Sequence, residues 1–173
     1  LIGHLSELRN RLIKALIFCL VLLVFMFPFA DDIYVLFSKP LIESLPESSD
    51  LIAIGVGSPF IVPIKLILSI SILISIPYII YQIWLFAKPG LLDTEKKLML
   101  PFALSSFMLF YLGAIFAFYI VVPVLINFFI NTAPESVKIM TDISQFFNFA
   151  IKIIIGFGIA FQAVSYTHLT LPT

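Results

Sequence analysis

Long runs of apolar residues, separated by short polar stretches, dominate the sequence. A helix needs about 20 residues to cross the ~30 Å hydrocarbon core of a membrane, and several of the runs approach or reach that length. They lie near residues 12–30, 66–86, 98–122 and 146–162. The pattern therefore predicts an all-α membrane protein, built as a bundle of transmembrane helices with four spans.

Prolines indicate where these helices bend or end. Pro77 lies inside the second run, and its missing N–H predicts a kink there. Pro28 and Pro123 stand at the C-terminal ends of the first and third runs. We expect them to close those two helices.

Small residues recur at a spacing of four in the third and fourth runs. Gly113 is followed by Ala117, and Gly156 by Ala160. Such pairs let two helix backbones approach closely, but the spacing is common in membrane helices. Each pair is a candidate interface.

The segment 31–61 has helical periodicity of its own. Its aliphatic residues recur at helical spacing, interrupted by Pro40 and Pro46. The pattern predicts short amphipathic helices that form an outer cap on the bundle or lie on the outer membrane surface. The prolines are expected to break them.

Cationic side chains are concentrated on two flanks of the apolar runs. These side chains are Arg9, Arg11, Lys14, Lys88, Lys96 and Lys97. The segments 31–61 and 124–145 carry more acidic than basic residues. Because short cytoplasmic loops are enriched in Lys and Arg, the N-terminus and the loop 87–97 are predicted to be cytoplasmic and the other two loops to face outward.

Composition excludes several functional classes. The chain is 61% hydrophobic and 12% charged, with a mean hydropathy of +1.15 and a net charge of zero, which gives no sign of a nucleic-acid partner. Cys19 is the only cysteine, and His4 and His168 lie at opposite ends, so neither a disulfide nor a metal site is expected. Nucleophile-elbow and phosphate-loop motifs are absent from the sequence, so we predict no enzyme and no cofactor.

The last eleven residues differ from the rest. Residues 163–173 read AVSYTHLTLPT, and the apolar helical pattern stops after Gln162. We expect residues 1–162 to be the functional domain and 163–173 to be a non-native tail.

Two carboxylates on the cytoplasmic side are candidate binding residues. Glu7 and Glu95 lie beside apolar runs, and a carboxylate matches the forked guanidinium of arginine. Each has a simpler interpretation. Glu7 stands four residues before Arg11, the spacing of an ordinary helix-surface pair, and Glu95 is followed by two lysines in a solvated loop. Spacing alone leaves both interpretations open.

A series of short motifs resembles one protein family. The motifs are HLSELRNRL (4–12), SPF (58–60), PIK (63–65), YQIWLF (81–86), PGL (89–91), EKK (95–97), FYLG (110–113), NTAPE (131–135) and TDI (141–143). In order and spacing they resemble the TatC family, the multi-span subunit of the Sec-independent twin-arginine protein translocase.

The resemblance implies a function. It implies a receptor for signal peptides that carry two consecutive arginines, and a core subunit of a translocase that exports folded proteins. Glu7 and Glu95 would contact the arginines, and Phe86 and Arg9 would shape the same site. The implied partners are the single-span subunits TatA and TatB and membrane lipid, within an oligomeric complex of the bacterial inner membrane.

The sequence departs from the family pattern in two respects. Many members carry Glu where this chain has Gln162, which keeps hydrogen-bonding capacity but no charge; as a polar residue inside the membrane it remains a site candidate. The family has six spans, whereas four are predicted here. The missing later spans help to dock the single-span partners in the family.

A small-molecule or ion transporter is the alternative function. It predicts ionisable residues lining the middle of the membrane, and often an inverted repeat. Only Lys65, Lys152 and Gln162 are candidates for such a lining, and no repeat is visible.

Overall fold

Helices make up almost all of the structure. The computed structural model describes residues 1–170, with side chains as far as Thr167. Its helices are α1 (Ile2–Met26), α2 (Ala30–Ser44), α3 (Ser58–Ala87), α4 (Asp93–Phe116), α5 (Val122–Thr132) and α6 (Ile143–Thr170). Within this part of the chain, four helical stretches are long and apolar enough to cross a membrane: Ile2–Ser44, Ser58–Gly90, Asp93–Thr132 and Ile143–Thr167. The predicted all-α, four-span membrane fold is confirmed.

The long helices associate as two pairs. α1 packs along α3, and α4 packs along α6, and these are the two most extensive contacts between helices. α3 touches both α4 and α6 over smaller areas. Among the long helices, α3 therefore links one pair to the other.

Glycines allow the close approach of α4 and α6. A Cβ added to Gly113 would lie 2.9 Å from the backbone oxygen of Phe157, too close for any side chain. Ala117, one turn further along, is completely buried. The Gly113–Ala117 spacing therefore does mark a helix interface.

The second small pair behaves differently. A Cβ on Gly156 would meet nothing within 4 Å, and Ala160 is exposed. The α6 glycine at the interface is instead Gly158, where an added Cβ would lie 2.8 Å from the ring of the fully buried Phe110. Spacing identified the right helix but the wrong face.

One end of the bundle, here called the loop end, holds the larger part of the apolar core. α2 packs there against α3, α5 and α6. Two short strands, β1 (Leu51–Ile52) and β2 (Thr141–Asp142), pair in parallel and tie the two longer loops together. The buried residues of this cluster are Leu41, Val62, Leu66, Ile70, Val122, Ile126, Ile143, Phe146, Phe147 and Ala150.

Two predicted proline breaks are wrong. α2 is one helix of 15 residues that passes through Pro40 and ends at Ser44, just before Pro46. Pro123 does not close the third span, because a π-helical turn (Ala117–Val121) leads directly into α5. The N–H groups of the first turn of a helix have no partner within that helix, so a proline there removes no hydrogen bond. The π turn just before α5 shifts the hydrogen-bond register.

The predicted end of the last helix at Gln162 is also wrong. α6 continues to Thr170, and Ser165 is buried. The hydroxyl of Thr167 donates to the carbonyl oxygens of Ala163 and Val164, so a polar side chain here bonds to its own helix rather than ending it. Residues 171–173 of the expected tail lie outside the described residues.

Candidate functional site

The C-terminal end of α3 lies between α1 and α4. On one side, the ring of Phe86 meets His4 of α1, with 5.6 Å between ring centroids. On the other side, Trp84 meets Phe102 of α4 at 4.7 Å. Because residues two apart on a helix point in nearly opposite directions, α3 presents different rings to its two neighbours.

Glu7 belongs to a polar network that bridges α1 and α3. The Nε and Nη2 atoms of Arg11 donate to Oε1 of Glu7, at 3.1 and 2.6 Å. Nη1 of Arg11 donates to Oε1 of Gln82 on α3, at 3.5 Å. Gln82 is buried, while Glu7 and Arg11 are partly buried, with side chains 37% and 21% exposed. A charged pair on α1 is thus anchored to the neighbouring helix.

An apolar cleft adjoins this network. It has a volume of about 50 Å³ and lies between α1 and α3. Apart from Arg11 and Gln82, its lining is hydrophobic: Leu8, Leu12, Ala15, Ile79, Ile83 and Phe86. Hydrophobic walls exclude water and so strengthen charge–charge interactions beside them.

Glu95 has a different local role. It lies in the first turn of α4, where its Oε2 accepts a hydrogen bond from the backbone N–H of Leu92 at 3.0 Å. This contact satisfies one of the free N–H groups at a helix start. The side chain is exposed, and next to it Lys96 pairs with Asp93 at 3.0 Å.

The four predicted signal-peptide residues fall into separate positions. Glu7 and Phe86 lie at the α1–α3 contact, and Glu95 follows the turn that leads from α3 into α4. In the part of the chain with described side chains, no hydrogen bond or ion pair joins Glu95 to Glu7. Arg9 is exposed, and a two-residue offset places it roughly 200° around α1 from Glu7. The structure does not bring Arg9 to the network.

Gln162 has a structural partner. It is buried, and its Nε2 donates to the carbonyl oxygen of Ser106, which ties α6 to α4. It also borders a very small space beside Pro77 and Trp84 of α3. Its side-chain amide is therefore already engaged within the bundle.

Sequence reasoning missed the part played by Gln82 and the three-way contact through Arg11. The available signal was a lone amide in the otherwise aromatic and aliphatic stretch 81–86. A polar side chain facing a neighbouring membrane helix needs a partner there. Its partner is 71 positions earlier, and no local pattern identifies it.

The buried polar groups are uncharged. Among residues with described side chains they are Ser38, Ser71, Ser75, Gln82, Ser106, Gln162 and Ser165. Lys65 and Lys152 are exposed. Within the described residues, no group of three or more His, Cys, Asp or Glu side chains could hold a metal ion. Among the described side chains, the buried polar groups therefore form no charged relay of the kind that the transporter alternative predicts.

Comparison with known proteins gives consistent matches along the whole chain. A family profile described as "Sec-independent protein translocase protein (TatC)" matches residues 3–170. The Sec-independent protein translocase protein TatC of Azotobacter chroococcum mcd 1 is 42% identical over 171 residues, which cover 99% of this chain and 67% of that protein. The protein of the same name from Escherichia coli (strain K12) is 44% identical over 162 residues, covering 94% and 63%.

A solved structure matches as well. A crystal structure of "Twin Arginine Translocase Receptor- TatC in DDM" superposes with a TM-score of 0.82 at 33% identity. The match covers 95% of this chain and 73% of that one. The chain spans about two thirds of the length of the curated relatives from Azotobacter and Escherichia.

Proposed function

Since the chain belongs to the TatC family of Sec-independent protein translocase proteins, we propose that it is a receptor for signal peptides with two consecutive arginines. In this role it is a core subunit of a translocase that exports folded proteins. The observation that carries the proposal is the agreement of sequence and fold over nearly the whole chain, with a family match over residues 3–170 and a TM-score of 0.82.

Glu7 and Glu95 are the proposed arginine-binding residues. The geometry of Glu7 supports its role, because its carboxylate already accepts two hydrogen bonds from a guanidinium, that of Arg11. Glu95 is exposed, and only its Oε2 is engaged by a backbone N–H in the described part of the chain. Phe86 and Arg9 are the other two proposed site residues. Phe86 supplies an apolar wall at the α1–α3 contact, whereas Arg9 is exposed on a different side of α1 from Glu7.

The energetics favour arginine over lysine at such a site. A fully exposed ion pair contributes at most about 1 kcal/mol, which is too little for specific recognition. A partly desolvated, two-point contact between guanidinium and carboxylate contributes more. The ammonium group of lysine keeps the charge but cannot form the planar fork. The partly buried rings of Phe86 and Trp84 lie on the two sides of α3 and supply apolar surface beside such a contact.

The proposed setting is the bacterial inner membrane with the N-terminus in the cytoplasm. The distribution of Lys and Arg supports this orientation, and it puts the start of α1 and the loop 88–92 on one side. The proposed partners are TatA, TatB and lipid, in an oligomeric complex. In a Cys19→Ala background, single cysteines replacing Ser48 and Thr94 are expected to react with impermeant thiol reagents from opposite sides. Reaction of both from the same side would overturn the orientation.

Peptide crosslinking tests the proposed function directly. The wild-type chain in lipid nanodiscs is expected to crosslink a synthetic Arg-Arg signal peptide more strongly than the matched Lys-Lys peptide. Glu7→Gln and Glu95→Gln should each lower the yield and narrow this preference. Glutamine keeps an acceptor oxygen, so Glu95→Gln preserves the bond to the N–H of Leu92.

Glu135→Gln is the matched control, because Glu135 is an exposed carboxylate in the loop before β2, at the loop end of the bundle. It should leave both yield and preference unchanged. If Glu7→Gln and Glu95→Gln also leave them unchanged, the two carboxylates are solvated surface charges and the site assignment is wrong.

A further inference from the structure

Glu7 is already occupied in the free protein. Both Nε and Nη2 of Arg11 converge on its Oε1, and the side chains are only partly exposed. We propose that Arg11 is an internal occupant of this half of the site, which the arginine of a signal peptide must displace. The inference rests on the proposed function and concerns the regulation of the same site.

The third contact of Arg11, which at 3.5 Å is longer than the other two, adds support for the pair from a second helix. An isolated pair four residues apart on a helix contributes only about 0.3–0.5 kcal/mol. Here Nη1 of Arg11 also donates to the buried Gln82 of α3. The guanidinium is therefore held from two helices, beside the hydrophobic cleft that Leu12 and Phe86 help to line.

Because Glu7 is occupied by a guanidinium, a ligand must offer comparable hydrogen bonds to displace it. An incoming guanidinium can replace both hydrogen bonds that Arg11 gives to Oε1 of Glu7, so the exchange conserves the charge and the number of hydrogen bonds. An ammonium group can replace the charge but not the two-point contact. Lysine must therefore compete with a better ligand that is tethered in place, and specificity arises from this competition as well as from direct attraction.

Substitution of Arg11 distinguishes two explanations of specificity: displacement of Arg11 by the peptide, and direct attraction between the peptide and Glu7 alone. In the wild-type background, Arg11→Gln is expected to raise the affinity for a synthetic Arg-Arg signal peptide about two- to fivefold, the range that corresponds to a partly exposed ion pair. It should also narrow the preference for Arg-Arg over Lys-Lys. Gln82→Met removes the acceptor on α3 without a change of charge. It should also raise the peptide affinity and narrow the Arg-Arg preference, but by less than Arg11→Gln.

Lys14→Gln is the matched control. It removes one positive charge from the same helix, at an exposed position with no ion pair among the described residues. It should change neither affinity nor preference. Unchanged or weaker binding by Arg11→Gln, with an unchanged Arg-Arg preference, would overturn the inference.

A measurement without peptide tests the occupancy itself. Carbodiimide coupling of an amine to Glu7, followed by mass spectrometry, should be faster in Arg11→Gln than in Lys14→Gln, because the carboxylate is no longer covered. Equal rates would contradict the occupancy. If the wild-type chain binds no Arg-Arg peptide, the proposed function is wrong and this inference falls with it. If it binds but Arg11→Gln alters neither affinity nor preference, only the inference is wrong.

Discussion

The two helix pairs are held together by different kinds of contact. α4 buries seven of its 24 residues, whereas α1 buries only Ala15 of its 25. Between α4 and α6, glycines bring the backbones together around the ring of Phe110. Between α1 and α3, contact is made by side chains, such as Phe18 stacked on Tyr78 with 4.3 Å between centroids.

This difference separates stability from recognition. In lipid, helix association depends on close packing and on hydrogen bonds between helices rather than on hydrophobic burial. The α4–α6 pair has the close packing. Because its backbones are in contact, any movement of one helix against the other must shift backbone atoms. The α1–α3 pair ends in a polar network through Arg11, which is formed by side chains rather than by backbone contact. The proposed peptide site is on this pair.

The largest expected effect of a substitution is at Phe110. Its side chain is fully buried against Gly158, and Phe→Ala in a packed core costs about 3–5 kcal/mol. Phe110→Ala should lower the SDS-induced unfolding midpoint strongly. Phe25→Ala on α1, where the side chain is 69% exposed, should change it little. Equal shifts of the unfolding midpoint in Phe110→Ala and Phe25→Ala would contradict the difference in packing between the two helix pairs.

A smaller effect is expected from filling the α4–α6 contact. In Gly113→Ala the new methyl would lie 2.9 Å from the backbone oxygen of Phe157, and overpacking of this kind costs about 1–3 kcal/mol. Gly156→Ala adds the same methyl to open space, so it should be neutral or stabilise the helix by up to about 1 kcal/mol. Thermal unfolding in detergent measures both. Equal losses of thermal stability in Gly113→Ala and Gly156→Ala would show that Gly113 is not at the helix interface.

The smallest expected effect concerns the link between the pairs. The hydroxyl of Tyr111 on α4 donates to the carbonyl oxygen of Ile74 on α3, at 2.8 Å and three residues before Pro77. Hydrogen bonds between membrane helices average about 0.6 kcal/mol, so Tyr111→Phe should destabilise by that amount. The control is Tyr119→Phe, where the side chain is 63% exposed. A zero difference between the two in SDS titration would mean that this bond contributes nothing to the link.

Hydropathy predicted the number and type of spans because a membrane helix must be long and apolar. Prolines misled the prediction of boundaries at Pro40 and Pro123. A proline removes one hydrogen bond, but in apolar surroundings an unravelled backbone would lose many, so the helix continues. The spacing of small residues does not show which face of a helix meets its neighbour, so it indicated Gly156, whereas the contact is at Gly158.

The candidate site was predictable only in its local parts. The four-residue spacing of Glu7 and Arg11 correctly indicated their ion pair. The contact with Gln82 depends on how α1 lies against α3, which no local spacing encodes. The bond from Leu92 to Glu95 escaped notice because the helix start lacks the Ser or Thr of the usual capping box.

Photocrosslinking with mapped sites tests the central claim most directly. A signal peptide with a photoreactive group beside its two arginines is bound to the wild-type chain, and the crosslinked residues are identified by mass spectrometry. The account predicts crosslinks on both sides of the α3 end, around Glu7 and Phe86 and in the first turn of α4, and few with a Lys-Lys peptide. Crosslinks at the loop end, around Leu41 and Phe146, or equal recovery with both peptides would contradict it.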